Sequence, residues 1–197
     1  MNLPNKLTIF RIILVPIMVI IPFFPIPGEY LGIPTTYWIM DLIFIIACIT
    51  DKLDGYIARS QNLITTFGKF LDPLADKILV LAAMMILVEQ GRLPSWIPII
   101  VITREFIVSG YRLVATSKGG IVIPANQWGK LKTVTQMFAV IFALVDVNAF
   151  GTIFSGTLSG IPFVLNLFTT LLMIVSTIAT IFSGWSYIKG GKDLLKE

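Results

Sequence analysis

The feature that most constrains the fold of this chain is a succession of six long apolar segments. Their approximate ranges are 7–26, 37–58, 69–90, 95–116, 131–149 and 162–188. Each is close to the length of about 20 residues that an α-helix needs to cross the hydrocarbon core of a bilayer. The sequence therefore predicts an all-α integral membrane protein with six transmembrane helices, formed as a single domain over residues 1–197.

The composition excludes several kinds of chemistry. Charged residues make up 13% of the chain, whereas they make up about 25% of an ordinary soluble domain. The chain has no histidine and one cysteine, Cys48, which rules out imidazole metal ligands, histidine general bases and an internal disulfide. Chemistry must therefore come from carboxylates, lysine, arginine, hydroxyls and bound metal.

The positive charges indicate how the chain lies in the membrane. If the N-terminus is inside, every lysine and arginine except Arg92 and Arg104 lies at the cytoplasmic end of a segment or in a cytoplasmic loop. Cytoplasmic loops of membrane proteins carry an excess of these residues. We therefore expect a multi-pass protein of the plasma membrane with both termini, and a cavity facing them, on the cytoplasmic side.

Four aspartates lie where the second segment ends and the third begins. Asp51 and Asp54 are three residues apart, and Asp72 and Asp76 are four apart, so each pair shares one face of a helix. The short connection predicts antiparallel neighbouring helices, which would bring the pairs together. Carboxylates favour hard cations such as Mg²⁺, Mn²⁺ or Ca²⁺, and four of them suit two divalent ions. The alternative is a helix pair held by ion pairs to nearby lysines and arginines.

The stretch from Asp51 to Asp76 fits the pattern D-x-x-D-G-x-x-A-R-x8-G-x-x-x-D-x-x-x-D at every defined position. This pattern is typical of the CDP-alcohol phosphatidyltransferases, which the chain resembles over essentially its whole length. The stretches P-N-K-L-T-I-F-R, T-R-E-F, R-L-V-A and N-Q-W-G-K-L-K-T are similar to those of bacterial members that use glycerol 3-phosphate as the acceptor.

The resemblance implies a reaction and a set of site residues. Members of the family transfer the phosphatidyl group of CDP-diacylglycerol to an alcohol and release CMP, with two divalent ions, Mg²⁺ or Mn²⁺, on the four aspartates. Asp76 is also the implied general base. The implied ligands of CDP-diacylglycerol are Asn5, Thr8, Gly55, Ala58, Arg59 and Gly68. The family further implies a homodimer surrounded by membrane lipids, and we expect no nucleic-acid partner.

Asn5, Thr8 and Arg11 recur at a spacing of three and so lie on one stripe of a helix. Judged without the resemblance, Asn5 and Thr8 are typical of a helix start near Leu7. Arg11 on the same grounds extends to the membrane interface. Only the resemblance places Asn5 and Thr8 in the nucleotide site.

Basic residues of the fourth and fifth segments are candidates for binding a phosphate-bearing acceptor. Arg104 lies deep in its segment and must face the bundle interior, either paired with a glutamate or as a ligand of the acceptor. The other candidates lie at the cytoplasmic ends of their segments, where positive charges that only anchor a helix at the membrane surface are also expected. Glycerol 3-phosphate and the donor are both anionic, so their encounter requires cations. The predicted ligands of the acceptor phosphate are Arg104, Arg112, Lys118, Lys130 and Lys132.

Two other functions remain open from the sequence. A related enzyme would use phosphatidylglycerol or inositol phosphate as the acceptor, and the aspartate pattern does not distinguish these. A divalent-cation transporter is disfavoured. Transporters place such sites near the bilayer midplane, often within an inverted repeat, whereas these aspartates lie at one face of the membrane and the chain shows no repeat. Asp41 and Asp146 lie toward the other ends of their segments, where exposure at the interface accounts for them.

Overall fold

The protein is all-α in the parts that the structure describes. A computed structural model describes residues 2–24, 26–61, 65–117 and 127–190. Lys118 and the pair Gly119-Gly120 lie outside these ranges. The helices within them are α1 (Leu3–Ile20), α2 (Thr35–Ser60), α3 (Thr66–Glu89), α4 (Trp96–Ser117), α5 (Gln127–Val145) and α6 (Gly160–Gly190).

Short elements connect the helices at the end of the bundle opposite to the aspartates. A 3₁₀ turn (Ile21–Phe23) extends α1, and a small antiparallel hairpin leads into α2, with strands β1 (Glu29–Tyr30) and β2 (Ile33–Pro34). Its turn has Leu31 and Gly32 at positive φ, which is the backbone twist that two-residue hairpin turns require. A second 3₁₀ turn (Thr152–Ser155) precedes α6.

The helix positions agree with the apolar segments to within a few residues, with the largest differences at both ends of α1 and α5. The first helix begins at Leu3 rather than near Leu7, because Asn2 caps it by accepting a hydrogen bond from the backbone N–H of Asn5 at 3.2 Å. Asn5 is therefore inside the helix, and its predicted role as the cap is wrong. The fifth helix begins four residues before the predicted 131–149, since α5 includes Trp128 and Lys130.

Three helices are apolar and long enough to cross a bilayer on their own: α1 extended to Phe23, α5 and α6. The other three carry the aspartates and basic residues described below, which lower their mean hydropathy. Polar residues in such helices are expected where they face the bundle interior. The composition and the helices together make this chain an all-α membrane protein.

The surface and the interior confirm this class. Large apolar side chains point outward along each helix, for example Ile13 and Ile17 of α1 and Ile178 and Phe182 of α6. Polar residues are buried instead, most clearly on α6, whose inner face carries Asn166, Thr169, Thr170, Ser176, Thr177, Thr180 and Ser183. An apolar exterior around a polar interior is expected when the surrounding solvent is lipid.

The hydrophobic core draws on all six helices, for example through Met18 of α1, Phe44 of α2 and Leu79 of α3. Within the bundle, α5 and α6 pack together extensively. Small residues such as Ala139, Ala143 and Ala179 let their backbones approach closely. The hydroxyl of Thr177 donates to the carbonyl of Met173 at 2.7 Å. Hydroxyls bound to their own helix in this way need no partner on another helix, although Oγ1 of Thr169 in the same stripe has no hydrogen-bond partner among the described residues.

Arg92 and Asp146 close the end of the bundle away from the aspartates. Arg92 donates through Nε to the carbonyl of Asp146 at 2.7 Å and through Nη2 to that of Leu144 at 2.9 Å, so it caps the C-terminus of α5. Asn166 of α6 donates to Oδ2 of Asp146 at 2.8 Å. Burial lowers the pKa of the Arg92 guanidinium from its ordinary value.

The interfacial exposure expected for two aspartates is wrong. Asp146 is buried because it joins α5 to α6. Asp41 is also buried, within α2, and its Oδ1 has no hydrogen-bond partner among the described residues.

Candidate active site

The polar stripe on α1 lies in the bundle interior, against the aspartates. Asn5, Thr8 and Arg11 are all buried, whereas Phe10 and Ile13 on the opposite face are exposed. The helix packs against both α2 and α3, so its stripe reaches the end of one and the start of the other. The predicted stripe is confirmed. Arg11 does not extend to the interface as predicted, since its side chain is 0% exposed.

Arg11 binds carboxylates from two helices. Its Nη1 lies 2.9 Å from Oδ1 of Asp51 and 3.6 Å from Oδ1 of Asp76, and its Nη2 contacts Oδ2 of Asp54. The planar fork of a guanidinium suits such multiple carboxylate contacts. The predicted alternative, in which nearby lysines and Arg59 neutralise the aspartates, is not what the described residues show. Among the lysines whose side chains the structure describes, such as Lys52 and Lys77, none is within ion-pair distance of these carboxylates.

Thr8 completes the convergence of the two aspartate pairs. Its hydroxyl lies 2.6 Å from Oδ1 of Asp72 and 3.5 Å from Oδ2 of Asp54. One residue of α1 therefore touches one aspartate of each pair. The two aspartate pairs are therefore linked through side chains of α1, which packs against both helices that carry them.

Asn5 connects the start of α3 to the same stripe. The side chain of Thr65 caps α3 by accepting from the backbone N–H of Gly68 at 3.0 Å, and its hydroxyl donates to Oδ1 of Asn5 at 2.9 Å. Asn5 thus holds the N-terminus of α3, seven residues before Asp72.

The aspartates differ widely in their access to solvent. Asp54 is 3% exposed, Asp51 is 27% exposed and Asp76 is 51% exposed. The cluster therefore has a closed side at Asp54 and an open side at Asp76. A group that must accept a proton from an incoming molecule has to be on the open side.

The residues fit divalent cations by their chemistry. All four side chains offer hard oxygen ligands. Of the arginine and lysine side chains described in the ranges given above, Arg11 is the one that contacts them, so negative charge is in excess. In those ranges, no three acidic or cysteine side chains are arranged as a metal-binding group. The two-metal site on Asp51, Asp54, Asp72 and Asp76 therefore stays a prediction.

Gly68 allows α1 and α3 to approach each other. A Cβ on Gly68 would lie 3.1 Å from Oδ1 of Asn5 and 3.2 Å from Oγ1 of Thr65, which is tighter than ordinary contact. Gly55 is less crowded, since a Cβ there would lie 3.6 Å from Nη2 of Arg59. Ala58 is half-buried and Arg59 is exposed at the end of α2. The donor-binding role of these four residues stays a prediction, whereas Gly68 has a packing role in the structure.

A second polar cluster is built around Glu105 of α4. Its Oε1 lies 2.9 Å from Nη1 of Arg104 and 2.7 Å from Nζ of Lys132 on α5, and its Oε2 lies 3.8 Å from Nζ of Lys77 on α3. Lys77 also donates to the hydroxyl of Ser109 at 2.5 Å. One carboxylate therefore gathers three cations from three helices, and positive charge is in excess.

Arg104 faces the interior, as predicted, and α5 and α6 make room for it. A Cβ on Gly129 or on Gly184 would lie 3.3 Å from an atom of its side chain. Its Nη2 donates to the hydroxyl of Ser183. The Arg104–Glu105 pair that the sequence left open as an alternative is present.

The other predicted ligands of the acceptor phosphate differ in their contacts and in their burial. Arg112 donates to the hydroxyl of Tyr187 at 2.9 Å, and the guanidinium carbons of Arg104 and Arg112 lie 5.8 Å and 5.7 Å from the centre of the Tyr187 ring. Lys132 is buried, so the role of surface anchor is wrong for it, whereas Lys130 is exposed at the start of α5. Lys118 is outside the described residues.

The acidic and basic clusters adjoin through α3. Asp76 belongs to the acidic cluster and the next residue, Lys77, to the basic one. The fold and the site therefore define a membrane protein with a polar interior that offers carboxylates on one side and cations on the other. The family model of the CDP-alcohol phosphatidyltransferases matches residues 1–185. The chain belongs to this family.

Its relatives cover nearly its whole length. The chain is 43% identical to a Bacillus subtilis protein named CDP-diacylglycerol–glycerol-3-phosphate 3-phosphatidyltransferase, covering 99% of this chain and 97% of the relative. It is 37% identical to a Haemophilus influenzae protein of the same name, covering 100% and 96%. A Mycobacterium tuberculosis protein named probable phosphatidylglycerophosphate synthase is 40% identical, covering 71% and 64%.

Three residues that the site brings together were missed from the sequence. Arg11 was assigned to the interface, although its spacing from Thr8 carried the signal. The sequence offers Glu105 only as the glutamate that could pair with Arg104, and Lys77 only as one of the lysines near the aspartates. An acidic residue beside a buried arginine is the signal that could have identified Glu105.

Proposed function

We propose that this chain transfers the phosphatidyl group of CDP-diacylglycerol to glycerol 3-phosphate, giving phosphatidylglycerophosphate and CMP. The observation that carries this proposal is the junction of an acidic and a basic cluster at Asp76 and Lys77. A reaction between two anionic substrates requires groups of both kinds side by side. The names of the relatives from Bacillus subtilis and Haemophilus influenzae support this choice of substrates.

The acceptor hydroxyl would attack the phosphorus that carries the diacylglycerol. A new P–O bond forms, the P–O bond to CMP breaks, and the hydroxyl proton passes to a base. Asp76 is the best placed base, because it is the most exposed of the three aspartates that contact Arg11. Asn5, Thr8, Gly55, Ala58, Arg59 and Gly68 would bind the CDP part of the donor.

Two divalent cations, Mg²⁺ or Mn²⁺, would be held by Asp51, Asp54, Asp72 and Asp76 and would neutralise charge on the pyrophosphate and on the departing CMP. Thr8 holds Asp72 through a hydrogen bond of 2.6 Å. Arg11 holds Asp51 and Asp54 of α2 together. These contacts orient the carboxylates before any substrate binds.

The phosphate of the acceptor would bind to the basic cluster. Arg104, Lys132 and Lys77 share one carboxylate, so a dianionic phosphate would balance their charge. Arg112, which is held beside Arg104 by Tyr187, would extend this surface toward solvent. We retain Lys130 and Lys118 as candidates from the sequence.

The protein would act as a single multi-pass domain over residues 1–197 in the plasma membrane, with both termini and the site cytoplasmic. The distribution of lysine and arginine supports this orientation. The acyl chains of the donor would lie in the lipid beside the aspartates. We also infer a homodimer from the resemblance to the family.

A direct assay tests the proposed activity. The chain, purified in detergent, is given CDP-diacylglycerol and radiolabelled glycerol 3-phosphate with Mg²⁺ or Mn²⁺, and lipid product and CMP are measured. We expect both products only when metal is present. Phosphatidylglycerol and inositol phosphate, offered in parallel, test the related acceptors, and a preference for either would contradict the proposal.

Asp76→Asn tests the general base. We expect loss of turnover of about a hundredfold or more with retained binding of CDP-diacylglycerol. Glu29→Gln is the matched control, because it removes an exposed carboxylate in β1, at the end of the bundle opposite to the aspartates. Near-normal turnover in Asp76→Asn would assign the proton transfer to another group.

A further inference from the structure

Arg11 contacts the same aspartates that the proposed metal site would use. Its Nη1 lies 2.9 Å from Oδ1 of Asp51 and its Nη2 contacts Oδ2 of Asp54. The guanidinium also lies 3.6 Å from Oδ1 of Asp76 on the neighbouring helix. It is therefore in contact with three of the four proposed metal ligands.

The position of Arg11 is fixed by its surroundings. Its side chain is fully buried, and α1 places it between α2 and α3. Its Nε and Nη1 make no hydrogen bond in the described part of the chain, so the ion pairs with the carboxylates are its main compensation for burial. A buried charge that loses its partners is strongly destabilising. Arg11 therefore stays close to the carboxylates.

A divalent cation bound by the same side chains would be close to the guanidinium. Like charges at that distance repel, and they do so more strongly in a buried site than in water. The metal ion and the guanidinium of Arg11 would also compete for oxygen lone pairs of Asp51 and Asp54.

We infer that Arg11 is an internal counter-cation that competes with divalent metal for Asp51, Asp54 and Asp76 and thereby weakens and tunes metal binding. This rests on the proposed two-metal site. Arg11 is a positioning residue in this role, since it acts on the carboxylates and not on the substrate. It keeps the acidic cluster folded when metal is scarce.

Binding of Mn²⁺ and thermal unfolding test this inference without measuring activity. Arg11→Met keeps most of the side-chain length and removes the charge. In detergent with a chelator, we expect Arg11→Met to unfold at a lower temperature than the wild type. With Mn²⁺ we expect the variant to bind about tenfold more tightly, equivalent to 1.4 kcal/mol, and to gain more thermal stability than the wild type gains.

Arg11→Lys is the second variant and decides the question if Arg11→Met does not fold. Lysine keeps one charge but lacks the planar fork that reaches several carboxylates. Its Mn²⁺ affinity should lie between those of the wild type and Arg11→Met. Lys6→Met, which removes an exposed charge from the same helix, is the matched control and should bind Mn²⁺ like the wild type.

The outcomes separate this inference from the proposed function. Wild-type or weaker Mn²⁺ affinity in the Arg11 variants would mean that Arg11 supports metal binding, which would overturn the inference alone. A wild-type protein that binds no Mn²⁺ would overturn the metal site and the inference with it. Tighter Mn²⁺ binding by the variants, together with metal-dependent turnover by the wild-type protein, would support both.

Discussion

At the scale of single residues, the site depends on short polar side chains that hold longer or charged ones. Thr8 is the clearest case, because its hydroxyl lies 2.6 Å from Asp72 while its helix carries Arg11 to the other aspartates. A valine would fit the same space and leave the carboxylate without this donor. The hydrogen bond that Thr8 donates can therefore be tested separately from the packing of its side chain.

Thr8→Val should lower kcat/KM for CDP-diacylglycerol by about tenfold or more, because a hydrogen bond to a charged group contributes about 1.5–3 kcal/mol. Thr8→Ser keeps the hydroxyl and should retain most activity. Thr152→Val removes an exposed hydroxyl far along the chain and is the control. Steady-state kinetics in detergent measure the three. Equal losses in Thr8→Val and Thr8→Ser would show that Thr8 acts through packing alone.

At the scale of helices, the sequence predicted correctly which residues share a helix face, but it predicted less well which helices pack against each other. Spacings of three and four placed each aspartate pair on one helix face, because the helical period alone decides this. The insertion of α1 between α2 and α3 depends on contacts across the chain, such as Thr65 to Asn5 and Thr8 to Asp54, which no local spacing encodes. Arg11 was misplaced for that reason.

The basic cluster is likewise a property of several helices. Glu105 of α4 receives Lys77 of α3 and Lys132 of α5, and α6 contributes Ser183 and Tyr187 to its arginines. The sequence predicted a group of cationic side chains here. That Glu105 is their common partner depends on how the helices pack, which the local sequence does not encode.

Glu105→Gln should separate these cations. We expect a loss of up to about 3 kcal/mol in stability, because buried charges lose their partner, and a higher Michaelis constant for glycerol 3-phosphate with kcat less affected. Thermal unfolding and kinetics measure the two effects, with Glu89→Gln at the exposed end of α3 as the control. A lower Michaelis constant would mean instead that Glu105 competes with the acceptor phosphate.

At the scale of the whole molecule, the two ends of the bundle have different chemistry. One end carries the acidic and basic clusters, and the other is closed by Arg92, Asp146 and Asn166 in direct hydrogen bonds. Composition and segment length were enough to predict the membrane fold, since lipid requires apolar exteriors. The closed end was not predicted, because a buried Arg92 in a short loop is indistinguishable in sequence from an exposed one.

The orientation of these ends gives the final prediction, since a site that uses cytidine nucleotides must face the cytoplasm. Two exposed positions report it: Gln61 follows α2 at the aspartate end, and Phe154, which is 77% exposed, precedes α6 at the closed end. In a Cys48→Ala background, a membrane-impermeant maleimide added to intact cells should label Phe154→Cys and not Gln61→Cys.

Permeabilised cells provide the control, because both cysteines are exposed and both should then be labelled. Labelling of Gln61→Cys in intact cells would place the aspartates outside, against the bias of lysine and arginine and away from the nucleotide supply. That result would remove the physical basis for the proposed donor even if the helices and clusters were unchanged. The labelling pattern therefore tests the function at the level of the whole protein, independently of any residue in the site.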